Sequence, residues 1–151
     1  MSSDRYETPA VSDAIDALGA GAGVLDGLAA MSTGEAGVAG PARTATVVDT
    51  DEPGIPGLAD FLDGAAPGDV LVLGWEAAPF TSVWGGLAAT RTEAAGCLGL
   101  VTSGWVRDLA EVRGTSLVVW ARGATPRSGK GRLAVTRVRA DPGRRGRRGR
   151  P

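Results

Sequence analysis

Short apolar strands alternating with short helices predict a layered α/β domain. Three observations carry that reading. The run ARTATVVD (42–49) alternates and is β-branched, which favours a strand. The turn APGD (66–69) feeds the apolar run VLVLG, and the same helix-then-strand unit recurs before LGLVTS (98–103) and SLVVWA (116–121). With 151 residues, 43% hydrophobic and 22% charged, the chain suits one domain with a modest core.

The elements follow in order. Thr8 reads as an N-cap with Pro9 at the first helical position. Val11, Ile15 and Leu18 then share a face and Gly19 stops the helix, giving residues 9–18. The Gly/Ala-rich stretch 19–41 has weak periodicity and predicts loop and short strand. After strand 42–49, Leu58, Phe61 and Leu62 form a helical face closed by Gly64. Strand 70–74 is short and apolar enough to be central. Residues 83–95 predict a helix stopped by Gly96, then come strand 98–103, helix 107–113, strand 116–121 and a further alternating strand at 132–138. The remainder, 139–151, is rich in Arg, Gly and Pro and cannot offset the entropy of ordering. One domain over 1–138 with a disordered tail is therefore expected.

Composition excludes several chemistries. There is no histidine, which removes Ser-His and Cys-His catalysis and His-ligated zinc. The single Cys97 sits in AAGCLGL and reads as a packing residue. No run approaches the roughly 18 apolar residues of a membrane helix, and the N-terminus lacks the pattern of a signal peptide, so a soluble cytoplasmic protein is expected. The net charge of −1 conceals an acidic body: six Arg and one Asp beyond residue 138 leave residues 1–138 at −6. Arg-Gly repeats attract phosphate without specificity, and no aromatic residues interleave them, which argues against a nucleic-acid partner. Lys130, the only lysine, lies in a Gly/Ser/Arg loop and is expected to stay solvated and protonated, not to form a Schiff base.

Two stretches are candidate sites. In SGWVRDLAEV, Arg107 and Asp108 stand where a strand gives way to a helix. Locally they read as a solvated helix cap, but loops at the carboxyl ends of strands are where α/β folds collect ligands. In SVWGGLAATRTEAAG, Gly85 and Gly86 open a helix. Free amides there bind anions, and paired glycines allow close approach; tight packing explains them equally well.

Taken together, PAVSDAIDALG, GPARTATVVD, APGDVLVLG, WGGLAATRTEAAGCLGLVTSGWVRDLAEV and ARGATPRSGKGR resemble, in order and spacing, the RraA-like family. Its members are the metal-dependent 4-hydroxy-4-methyl-2-oxoglutarate aldolases and the regulator of ribonuclease E activity. The resemblance covers residues 8–138, and its most specific part is the 20-residue interval, 87–106, between Gly86 and Arg107-Asp108.

The resemblance implies a layered α/β/α (β/β/α) swivelling-domain fold, assembled as a homotrimer or hexamer. It also implies retro-aldol cleavage of 4-hydroxy-2-oxo dicarboxylates to pyruvate, with oxaloacetate decarboxylation alongside. Both reactions leave pyruvate enolate, so one enolate-stabilising site serves both. Asp108 would hold Mg²⁺ or Mn²⁺, with water filling most of its shell. Arg107 would brace the carboxylate or enolate, and the Gly85-Gly86-Leu87-Ala88 helix end would hold the substrate through its amides. The family's other branch acts by protein contact. This chain departs from the pattern at Gly86, where the aldolases have a carboxylate, at Ser103, where many members have Asp, and after Val138, where a strand, a Pro-Gly-Asp turn and a closing strand are expected.

Overall fold

The computed structural model describes residues 7–21, 23–33 and 37–137. Val138 and the tail 139–151, with its expected disorder, lie outside them. Along the chain come α1 (Thr8–Ala17), β1 (Ala29–Ala30), β2 (Ala42–Asp49), α2 (Leu58–Asp63), β3 (Val70–Glu76) and β4 (Ser82–Trp84). Then follow α3 (Gly86–Ala94), β5 (Gly99–Val106), α4 (Leu109–Arg113), β6 (Val118–Ala124) and β7 (Leu133–Arg137). The sheet has seven strands in the order β1-β6-β5-β3-β2-β7, with β4 paired to β5. Strands β2, β3, β5 and β6 are mutually parallel where they pair; β1 and β7 are antiparallel edges. The mixed α/β class expected from the sequence is the one observed.

Register explains which residues are buried. Pairings Leu71↔Leu100, Leu73↔Thr102, Leu100↔Val119 and Ala45↔Leu73 put these side chains on one face, where all are nearly inaccessible. Phe61 and Leu62 of α2, Ala88 and Ala89 of α3 and Val112 of α4 join them in one hydrophobic cluster. The opposite face carries Thr44, Val72, Val101 and Trp120 in register. These are half-buried or exposed, Trp120 at 40%. Helices α2, α3 and α4 thus cover one face of the parallel sheet.

Two expectations need correction. Of the helix expected over 83–95, residues 83 and 84 instead belong to β4 (Ser82–Trp84), and α3 begins at Gly86. Ser82 is drawn into the sheet because it pairs with Trp105 of β5, so a tertiary partner overrides the local helical pattern. Helix α1 forms, but its N-cap is Glu7, with no side-chain cap bond, and Thr8 is the first helical residue. None of the residues of α1 is buried, and Val11 is 41% and the following Leu18 81% exposed. The other elements match within a few residues, with β5 running on to Val106 and α4 beginning at Leu109.

Cys97 is buried and its thiol pKa is raised, first by desolvation and then by the nearby Asp69 charge. Thiolate is the reactive form. Folded protein at neutral pH should therefore react with a thiol-specific disulfide reagent far more slowly than denatured protein, as followed by absorbance. Leu100, at 0% exposure on the central strand, is expected to lose about 2–5 kcal/mol on truncation to Ala, read from denaturant unfolding.

Candidate active site

Strand β4, the turn after β5 and the loop between β6 and β7 meet α2 and α3 around a cavity of about 320 Å³. That volume lies at the small end of the roughly 300–1,000 Å³ seen in small-molecule sites. Ile55, Leu58, Leu62, Val83 and Leu87 give it an apolar wall; Arg91, Arg107, Asp108 and Lys130 supply charge. Of the residues singled out in the sequence, Gly85, Leu87, Ala88, Arg107 and Asp108 line it. Gly86 does not: it is buried behind the wall. Ser103 is also outside the cavity, exposed on β5, and its carbonyl accepts a 3.2 Å bond from Arg122 Nε.

Asp108 is held in an uncommon conformation. It is the N-cap residue of α4, yet has φ 55° and ψ 47° and makes no side-chain bond to that helix. The left-handed region costs an L-residue of the order of 1 kcal/mol, less for Asp than for most. Surrounding contacts over-determine it. The Asp108 carbonyl accepts from Val112 N–H at 3.0 Å, and Arg107 N–H donates to Trp84 O at 3.1 Å. Its carboxylate turns away from its own helix: Oδ2 accepts from Gly86 N–H at 3.2 Å and Arg107 Nε at 3.0 Å. The solvated-cap reading of the pair thus gives way to a bridge between the end of β5 and the N-terminus of α3.

The glycines make that bridge possible by leaving space. A Cβ on Gly85 would lie 2.5 Å from Asp108 Oδ2 and 2.6 Å from Arg107 Cγ. A Cβ on Gly86 would lie 1.5 Å from Glu111 Oε2 and 2.9 Å from Glu111 Cβ. Glu111 of α4 therefore places its carboxylate against the backbone of residue 86, on the site a larger side chain there would need. Its position three residues after Asp108, in the first turn of the expected helix, was the available signal for it. Arg91, Lys130 and Ser128 also enter the cavity wall without having been singled out as site residues; the motif ARGATPRSGKGR carries two of them.

The site can bind an anion and polarise a carbonyl. Amides of Leu87 and Ala88 lie in the first turn of α3 and so have no intrahelical acceptor, whereas Gly86 N–H is committed to Asp108. Arg107 and Asp108 are each about one-third exposed in their side chains, accessible from the cavity but partly desolvated. Asp108 Oδ2 takes both protein bonds; among the described residues no hydrogen bond goes to Oδ1. No group of three or more His, Cys, Asp or Glu is placed to share a metal ion among the described residues. The donor set fits a hard cation that keeps most of its water, with one carboxylate oxygen as protein ligand.

Comparisons agree with the fold and with the family that the sequence resembles. The sequence model of the RraA-like family, described as Aldolase/RraA, matches residues 8–141. A crystal structure of an uncharacterized protein from Pseudomonas syringae pv. tomato is similar with TM-score 0.73 and 28% identity, covering 88% of this chain and 61% of that one. Streptomyces coelicolor RraAS2, titled an unusual member of the RNase ES inhibitor RraA protein family, gives 0.72 and 28%, covering 87% and 65%. The RNA-processing inhibitor RraA from Thermus thermophilis gives 0.66 and 26%, covering 87% and 76%. This chain thus spans less than two thirds of the length of the first two. No match is found among curated proteins.

The close approach at Gly86 sets a prediction. Gly86→Ala should destabilise the fold by about 1–3 kcal/mol through overpacking. Glu111→Ala in the same chain should restore part of the loss, giving a non-additive cycle in denaturant unfolding.

Proposed function

Since the chain belongs to the RraA-like family, we propose that it is a divalent-metal-dependent carbon–carbon lyase. It would release pyruvate from 4-hydroxy-4-methyl-2-oxoglutarate and decarboxylate oxaloacetate as a side activity. The observation that carries this reading is the meeting of Arg107 and Asp108 with the open end of α3 at one cavity. A 2-oxo acid needs a carboxylate holder, a donor to its keto oxygen and a place for charge to collect, and the three stand together.

Amides of Leu87 and Ala88 receive the substrate carboxylate at the helix end, where the dipole favours negative charge. Arg107 donates to the keto oxygen and holds the charge that develops there as the C–C bond breaks. Its bond to Asp108 fixes its direction before substrate arrives. Asp108 is the residue that would hold Mg²⁺ or Mn²⁺, through Oδ1, and the ion would supply Lewis-acid polarisation of the keto group. The apolar wall excludes water from the electron-rich carbon, which strengthens each of these interactions. No histidine is needed for any of them.

A second reading has its own support: two of the similar structures are titled as inhibitors of ribonuclease or RNA processing. On that reading the chain acts by protein contact, its pocket is idle, and it would be recovered with an RNA-degrading complex. Assembly as a homotrimer or hexamer, and action in the cytoplasm, belong to both readings as proposals.

Variants separate them. With Mn²⁺ present, Asp108→Ala should abolish pyruvate release from oxaloacetate in a coupled assay. Arg107→Lys should lower kcat by about 10²–10³, as loss of an aligned donor to a developing oxyanion does. Equal rates in both variants and wild type would sink the lyase reading.

A further inference from the structure

The cavity holds more positive charge than one keto acid uses. Arg91, Arg107 and Lys130 line it against the single carboxylate of Asp108. Two of the three cations are already engaged. Arg91 is ion-paired to Asp63, tying α3 to α2 at the rim, and Arg107 is paired to Asp108. Lys130 differs: among the described residues no carboxylate lies within ion-pair distance of its amine.

Its loop is nevertheless fixed. Ser82 N–H donates to Arg127 O at 3.0 Å, Gly129 N–H to Ser82 O at 2.7 Å and Gly131 N–H to Gly54 O at 2.6 Å. The Lys130 N–H itself donates to Ser128 Oγ at 3.2 Å. Two segments, β4 at Ser82 and the loop at Gly54, therefore clamp the backbone on either side of Lys130, itself an exposed residue. An unpaired cation on a fixed loop, beside a cavity with an apolar wall, is a receptor for an anion carried by an otherwise aliphatic ligand.

We propose that Lys130 binds a second carboxylate of the substrate, remote from the 2-oxo acid group held at Arg107 and α3, and so sets specificity for 2-oxo dicarboxylates over 2-oxo monocarboxylates. This rests on the keto-acid reading of the same cavity. A lysine suits the task because its compact charge on a flexible stem adjusts to carboxylates at different distances, where a planar guanidinium demands one geometry. The pocket should therefore tolerate different spacings between the two carboxylates.

Titration calorimetry on the full chain with excess Mg²⁺ tests it, with 2-oxoglutarate as the dicarboxylate probe and pyruvate as the same head group lacking the second carboxylate. Lys130→Met should weaken 2-oxoglutarate about tenfold, the scale of one charge-assisted hydrogen bond at a part-exposed site, and leave pyruvate unchanged. Lys130→Arg should recover part of the loss, and added salt should shrink the difference. Unaltered 2-oxoglutarate affinity in Lys130→Met, or equal weakening of both ligands, would overturn the inference while leaving the keto-acid reading standing. Wild-type protein that binds neither ligand would remove that reading and this inference with it.

Discussion

The site depends on one close approach: the backbone at Gly85-Gly86 comes within hydrogen-bond reach of the Asp108 carboxylate. Gly86 N–H to Asp108 Oδ2 joins the N-terminus of α3 to the end of β5. A Cβ at residue 85 would meet Asp108 and Arg107, and one at residue 86 would meet Glu111. With Glu111, Arg107 and Asp108 placed as they are in this chain, a side chain at either position would displace one of them. The left-handed turn at Asp108 is the other half of the arrangement, because it directs the carboxylate across to α3 instead of along its own helix. Strain at a residue whose neighbours hold it in place is a pattern found at functional positions.

Much of this was legible in the sequence for physical reasons. Period-two and short apolar runs marked β2, β3, β5, β6 and β7, since register leaves those side chains no choice of face. Gly64 and Gly96, expected to close α2 and α3, stand one or two residues beyond the helices. The Arg107-Asp108 pair was located by its position after a central strand. Less legible was whatever depends on tertiary partners. Val83-Trp84 reads as the start of a helix until β5 supplies a partner for the strand that holds them. The shared face of Val11, Ile15 and Leu18 on α1 is legible as a stripe, but helical periodicity alone does not say what it packs against.

Two departures from the family pattern acquire a physical meaning in three dimensions. At Gly86 the missing side chain leaves room that the Glu111 carboxylate fills, so negative charge remains beside the α3 terminus although the residue that would carry it by resemblance is absent. At Ser103 the change falls on the exposed side of β5 and leaves the cavity wall untouched. Lys130, set aside as a solvated lysine on local sequence, turns out to line the cavity. Its loop is brought there by hydrogen bonds to Ser82 and Gly54, contacts more than forty residues distant along the chain.

The sheet shares its core with the helices on one face only, and the parallel strands leave Thr44, Val72, Val101 and Trp120 on the other. The cavity lies at the strand ends, where helix amides, an arginine and a carboxylate converge without histidine. That convergence is what supports the proposal of lyase chemistry in a chain without histidine. Its most direct test is pyruvate formation from 4-hydroxy-4-methyl-2-oxoglutarate by the wild-type chain, measured with Mn²⁺ and again with excess chelator. The account predicts turnover that stops on chelation and returns when metal is restored; no turnover with saturating metal, or turnover indifferent to chelator, would contradict it.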